Sequence, residues 1–188
     1  MKTRCAWAKP GNELYLTYHD EEWGRAVHDD TVLFEFLVLE GAQAGLSWET
    51  ILKKRENYRQ AFDDFDYVKI AEYSENKIQE LLENSGIIRN KLKVRSAVKN
   101  AKVFLKIRSE FGSFSKYLWD FVGGKQIVNT PKDASEVPVS TELSDRISQD
   151  LKRRGMSFVG TTIIYAYLQA VGVVNDHVVE CFCKNIKK

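Results

Sequence analysis

Cys5 and His19 lie near one end of this chain, and His177 and Cys181 near the other. The chain holds three Cys and three His, so these two pairs take four of its six soft-ligand residues. A Cys2His2 donor set closes a tetrahedral Zn2+ site with no open position, which makes such a site structural rather than catalytic. His177 and Cys181 are spaced i, i+4, and on a helix they would share one face. Read together, the four residues form a metal site that clamps the termini. The alternative is that the cysteines are small buried hydrophobes and the histidines satisfied polar groups.

A second feature is Glu40, in Phe36-Leu37-Val38-Leu39-Glu40-Gly41-Ala42-Gln43-Ala44-Gly45-Leu46-Ser47-Trp48. If residues 31 to 44 are helical, Glu40 shares a face with Leu33, Phe36, Leu37 and Ala44. A carboxylate on an apolar face is costly unless something pairs with it. The partner is either an Arg, or a cationic or hydrogen-bonding ligand approaching past Gly41. Trp7, Tyr15, Tyr18 and Trp23 crowd the N-terminal segment, and Trp48 follows Glu40. Aromatics in such numbers usually build a core. An aromatic-walled pocket with one carboxylate would instead suit a planar cation, by stacking and cation–π attraction.

A third feature is Leu151-Lys152-Arg153-Arg154-Gly155-Met156-Ser157-Phe158-Val159-Gly160-Thr161-Thr162, which reads as a helix end, a tight turn and a new helix start. Two glycines at such a turn leave backbone N–H groups at the next helix start free to meet a phosphate. This is the pattern of a helix–hairpin–helix element, although helix connections with Gly are common in other roles. Residues 63 to 83 carry seven acids against Lys69 and Lys77, whereas residues 87 to 108 carry eight bases and no acid. Lys91, Arg95, Lys99, Lys102 and Lys106 fall on one stripe of a helix, opposite Val94, Ala97, Val98, Ala101 and Leu105. A one-sided basic stripe suits a nucleic-acid backbone, the bland alternative being a solvated helix face.

Helices must position these residues. Asp30 is placed to cap a helix whose apolar positions begin at Val32. Further helices are expected at Trp48 to Phe62, after Asp66, after Ser74, along the basic stripe, at Ser115 to Val122, from Ser140 or Thr141 toward Lys152, and across Phe158 to Val174. Gly123-Gly124 opens the one long loop, which runs to Pro138. Stretches such as Gln126-Ile127-Val128 are too few for a sheet, so the fold class is all-α. Among 188 residues, 44% are apolar and 29% charged, ordinary for one globular domain or two small fused lobes. The odd cysteine count does not read as a disulfide framework, residues 1 to 30 hold no signal-peptide core, and no apolar run reaches membrane-spanning length. These features point to a cytoplasmic protein without a membrane partner.

Taken in order along the chain, these residues resemble the 3-methyladenine-DNA glycosylase I (Tag) family of the helix–hairpin–helix superfamily. The resemblance rests on Arg4-Cys5-Ala6-Trp7, Tyr18-His19-Asp20, Glu22-Trp23-Gly24, Leu39-Glu40-Gly41, Ala44-Gly45-Leu46-Ser47-Trp48, Leu52 through Arg59, Gly86-Ile87-Ile88-Arg89, Phe158-Val159-Gly160-Thr161-Thr162 and Val174 through Val179. It implies a single glycosylase domain over residues 1 to 188, built as two helical lobes with the hairpin around residues 144 to 174. It implies one structural Zn2+ on Cys5, His19, His177 and Cys181. It also implies Glu40 as the essential acid of the base pocket, Tyr18 and Trp48 as base contacts, and Trp7, Tyr15 and Trp23 as pocket lining. Leu46 would probe the gap left by a flipped base, and the hairpin residues Phe158, Gly160 and Thr161, with Lys91 and Arg95, would hold the DNA backbone.

The chain departs from the wider superfamily at Asn175. Many relatives carry an essential Asp two residues before the His that matches His177, whereas here Asp176 stands one residue out of register. No Lys follows Gly160 where lyase-competent relatives carry a Schiff-base nucleophile. The expected protein is thus a monomeric, monofunctional glycosylase that excises N3-methyladenine from alkylated double-stranded DNA in base excision repair. The alternative is a non-catalytic helix–hairpin–helix module that binds damaged DNA.

Overall fold

The computed structural model describes residues 2–185. Nine α-helices are seen among them: α1 (Glu13–Glu21), α2 (Asp30–Gln43), α3 (Trp48–Ala61), α4 (Tyr67–Ala71), α5 (Glu75–Glu83), α6 (Lys91–Phe111), α7 (Phe114–Asp120), α8 (Glu142–Arg153) and α9 (Thr161–Ala170). Two two-residue strands, β1 (Ile127–Val128) and β2 (Val174–Asn175), form one parallel pairing. The structure is therefore mostly helical, with this short pairing the departure from an all-α reading. It joins the long loop after α7 to the C-terminal segment.

Helix α2 is the centre of the molecule. Every residue from Leu33 to Ala42 is buried, so the helix is apolar all round rather than amphipathic, as an enclosed helix must be. Helices α3, α6, α7 and α9 pack around it. Asp29, not Asp30, caps α2, accepting from the N–H groups of Thr31 and Val32. Asp30 turns outward from the first turn instead. It accepts from Arg108 Nε at 2.6 Å and from the N–H groups of Phe114 and Ser115, locking α2 to the α6–α7 junction. Either Asp satisfies the N-cap preference in sequence, and only the tertiary donors distinguish them.

Helices α8 and α9 pack against each other across the turn that joins them. Thr141 caps α8 with a reciprocal bond to Ser144, and Ser144 Oγ also meets Thr161 Oγ1 at 2.8 Å, tying the starts of both helices together. In the turn, Gly155 takes φ +105°, a conformation that disfavours a side chain, and Phe158 takes φ +56°. Asn100 of α6 holds this turn through both backbone groups of Ser157, at 2.8 and 2.9 Å. The last long helix is shorter than the apolar run that marks it: α9 stops at Ala170, and Gly172 turns the chain with φ +67°. A Cβ on Gly172 would lie 2.1 Å from the Arg25 carbonyl carbon, so no other residue fits against that strand of backbone.

Candidate base pocket and metal centre

The C-terminal end of α2 and the N-terminal end of α3 bring Glu40 and Trp48 to a cavity of about 420 Å³. Trp7, Tyr15, Tyr18 and Trp23 line it from the N-terminal segment and α1. Tyr18 lies 5.4 Å from Trp48, and Trp7 meets Tyr15 edge-on at 5.5 Å and Trp23 at 5.0 Å, ring centre to ring centre. The opposite wall was not legible in the sequence. It comes from Thr162, Tyr165, Ala166 and Gln169 of α9, from Ala134 and Val137 through Val139 of the long loop, and from Asp176 and Val178. The four α9 residues recur at i, i+3, i+4, i+7, one helix face, and Gln169 within an apolar helix was the signal available.

Glu40 is 3% exposed, and its Oε2 has no hydrogen-bond partner. No Arg pairs with it. The Arg that a carboxylate on α2 requires goes to Glu35, which accepts from Arg55 at 2.7 Å and meets Arg59 at 2.9 Å. Trp48 Nε1 is the other buried side-chain polar atom without a partner among the described residues. One acceptor and one donor thus stand unsatisfied at the same cavity, an arrangement that costs folding free energy unless a ligand completes it. Burial pushes the Glu40 carboxyl up to about 8, so it is protonated in the ligand-free protein at neutral pH.

Asp176 faces the same cavity but differs in kind. Its Oδ2 accepts from Tyr165 Oη at 2.6 Å and Gln169 Nε2 at 2.7 Å, and its Oδ1 from Asn129 Nδ2 at 2.7 Å. Asn175 turns its amide oxygen back to the N–H of His177 at 3.1 Å. The one-residue offset noted in the sequence therefore does not remove a carboxylate from the pocket wall.

Cys5, His19, His177 and Cys181 are all buried, with one ligand atom of each within 4.8 Å of the others. Sγ of Cys181 lies 3.4 Å from His177 Nδ1 and 3.5 Å from His19 Nε2, and Sγ of Cys5 lies 3.6 Å from His177 Nδ1. A tetrahedron with metal–ligand bonds of about 2.0–2.3 Å has edges of about 3.3–3.8 Å, so the donor set fits a tetrahedral ion. The outer ring nitrogens are also held: His19 Nδ1 by Asp20 at 2.8 Å and His177 Nε2 by the Trp23 carbonyl at 3.0 Å. Arg4 in turn grips Asp20 through two bonds. Such outer bonds select the tautomer that leaves Nε2 of His19 and Nδ1 of His177 free for a metal. Burial pushes the His177 imidazole down to about 4, keeping it neutral as ligation requires. His177 and Cys181 do not lie on a helix. They flank a turn after β2, closed by the Cys181 N–H to the Val178 carbonyl, so loop geometry rather than helical spacing brings them together. Cys183 Sγ lies 3.9 Å from His19 Nδ1, a nitrogen already engaged by Asp20, and 3.8 Å from the Asp20 carbonyl.

Leu46 stands 40% exposed in the α2–α3 connection. Lys93 braces that connection by donating to the carbonyls of Ala42 and Ala44 at 2.8 and 2.6 Å. Gly41 allows α2 to meet the hairpin turn, since a Cβ there would stand 3.3 Å from Phe158 Cβ. Gly160 precedes α9 without a side-chain cap bond, and Thr161 begins the helix. On α6, Lys91, Lys99, Lys102 and Lys106 are exposed, with Lys99 reaching Ser157 Oγ at 3.1 Å. Arg95 is the exception in the stripe. Its guanidinium is taken by Glu75 of α5 at 2.5 and 2.7 Å, so the acid missing from the local sequence is supplied by the neighbouring helix.

Residues 7–184 match the family model for methyladenine glycosylases. A DNA-3-methyladenine glycosylase of Haemophilus influenzae is 47% identical over 184 residues, covering 98% of this chain and 99% of that protein. DNA-3-methyladenine glycosylase 1 of Escherichia coli K12 is 47% identical over 180 residues, 96% of each chain. A crystal structure of a tyrosine-to-phenylalanine variant of 3-methyladenine DNA glycosylase I in complex with 3-methyladenine superposes with a TM-score of 0.94 at 36% identity, covering 98% of this chain and 99% of that one.

Proposed function

This chain belongs to the methyladenine glycosylase family, and from that premise we propose that it is a DNA-3-methyladenine glycosylase acting in base excision repair. The observation that carries the reading is Glu40: a buried carboxyl with an unpartnered oxygen, beside an unpartnered Trp48 Nε1, in an aromatic cavity. A module that only binds DNA has no use for such a group, whose burial is costly without a ligand.

N3-methyladenine in DNA is cationic and leaves as a neutral base. When the glycosidic bond breaks, its electron pair neutralises the base, and water adds its hydroxyl to the sugar carbon and releases its other proton to solvent. The leaving group needs little activation, so the pocket's task is selection. Glu40 gives up its proton to solvent as the cationic base enters and then offers a carboxylate held in a dry aromatic site. Tyr18 and Trp48 contact the base, while Trp7, Tyr15 and Trp23 close the wall around it. Neutral adenine supplies no charge to pair with a carboxylate, so Glu40 stays protonated and the selective attraction is lost. Extrusion from the duplex is cheapest for a damaged base. Tyr165, Gln169 and Asn129 hold the Asp176 carboxylate at the wall. The residue following Gly160 is Thr161, not Lys, so no Schiff base forms and the activity is hydrolytic alone.

The substrate is double-stranded DNA. The α8–α9 connection serves as a helix–hairpin–helix element, with Phe158, Gly160 and the start of α9 at Thr161 meeting the backbone phosphates. Lys91 and the free lysines of α6 add nonspecific attraction, Arg95 contributing less through its bond to Glu75, and Leu46 fills the gap left in the stack. Cys5, His19, His177 and Cys181 would hold a Zn2+ ion, which would serve as a structural cross-link. The chain works as a single-domain monomer in the cytoplasm, and no helix among the described residues is long and apolar enough to cross a membrane. Mass spectrometry of bases released from methylated duplex DNA tests the reading. Free 3-methyladenine is expected, and DNA binding without any released base would leave only a binding module.

A further inference from the structure

The four-residue cluster and the aromatic cavity share a wall. Cys5 is one of the grouped donors and also lines the cavity. Trp23 lines it too, with its ring edge-on to His177 at 4.7 Å and stacked on His19 at 6.4 Å. Trp7 stands edge-on to His19 at 5.1 Å. The link extends to the backbone, because the Trp23 carbonyl accepts the His177 Nε2 proton at 3.0 Å. The next residue, Gly24, donates its N–H to the carbonyl of Gln169, itself a cavity residue, at 2.8 Å. A Cβ on Gly24 would lie 3.2 Å from the His177 ring, so no slack separates the imidazole from this segment.

We propose that the Cys/His cluster positions the wall of the base pocket through Trp23, so that metal binding and base binding are coupled. The proposal rests on the base-pocket reading given above. Close-packed interiors pass on a displacement because they hold no void to absorb it. Any coupling between two ligands is reciprocal, so a base that presses on the wall must also act on the metal donors. A cross-link that only ties the termini would behave otherwise: once the chain is folded, its donors would be indifferent to what fills the cavity. Trp23 is then a positioning residue, acting on the base through the wall rather than on the bond that breaks.

Cobalt provides the test. Co2+ takes tetrahedral thiolate and imidazole donors as Zn2+ does, but lacks the filled d shell that makes Zn2+ colourless. Free 3-methyladenine is titrated into the Co2+-loaded protein, with base binding followed by equilibrium dialysis and the metal by its visible ligand-field bands. The bands are expected to shift with the same midpoint as base binding, and Trp23→Leu is expected to abolish the shift while base still binds at higher concentration. Bands that stay fixed while dialysis saturates would overturn the coupling and leave base recognition standing. A Co2+-loaded protein that binds no base at all would overturn the pocket reading, and the proposal with it.

Discussion

Glu35 and Glu40 sit on one helix, both buried, and their surroundings assign them opposite tasks. Glu35 is bonded by Arg55, which also holds Glu22 and lies over the Phe36 ring, so it fastens α2 to α3 and to the end of α1. Glu40 has desolvation without a cation, which raises its pKa from 4.5 to about 8. A group raised in this way contributes its full stability below about 4.5 and loses it as pH climbs toward 8, where the buried carboxyl must ionise. Glu40→Gln removes that loss. The variant is therefore expected to gain stability over the parent by a few kcal/mol across this window and to match it in acid. Urea midpoints measured against pH check this, and curves that run parallel for both proteins would show that Glu40 is not the group titrating. The pocket carboxyl was legible from its apolar neighbours alone. Its lack of an Arg was not, because Glu35 and Glu40 both lie among apolar residues of α2 and only the fold shows which one Arg55 reaches.

At the scale of elements, the turn between α8 and α9 is held from outside the hairpin. Asn100 of α6 bonds both the N–H and the carbonyl of Ser157, so removing its amide leaves two backbone groups short of partners. Asn100→Ala is expected to cost about 1–3 kcal/mol and to weaken DNA binding, with metal content unchanged. Denaturant titration alongside DNA binding would reveal the role, and undiminished affinity would show that the turn needs no brace. The basic face of α6 gives a graded expectation. Neutralising Lys99 or Lys102 should reduce the salt slope of DNA binding by about one unit each, whereas neutralising Arg95 should do less, since Glu75 already occupies it. Equal effects at all three would place Arg95 on the phosphate after leaving Glu75. Helix positions were readable in the sequence wherever a cap and an apolar period coincide, as at Asp66, Ser74 and Thr141. They were not readable where tertiary contacts choose between equal signals, as with Asp29 and Asp30, or where a single glycine ends an apolar run, as with Gly172. The β1–β2 pairing was likewise invisible, because two residues on each side carry no period.

Across the whole molecule, the cluster joins residue 5 to residue 181 and so closes almost the entire chain into one loop. Closure of this kind stabilises by restricting the unfolded chain, and bound metal adds its own ligation free energy. Cys181→Ala is expected to yield protein without metal, with a melting temperature lowered by about 10 °C or more. Elemental analysis with thermal melts would show this, and full metal content in the variant would remove Cys181 from the ligand set. The residues of this site were legible as types, and their arrangement was not: His177 and Cys181 meet through a turn, and the pocket's far wall is assembled from α9, the long loop and the segment after β2. The account turns on Glu40, and the most direct measurement is single-turnover release of 3-methyladenine from methylated duplex DNA by the parent protein and by Glu40→Gln. The account predicts rapid release by the parent and a fall of about a hundredfold or more in the variant, with DNA affinity and metal content retained. Release by Glu40→Gln at the parent rate would contradict it.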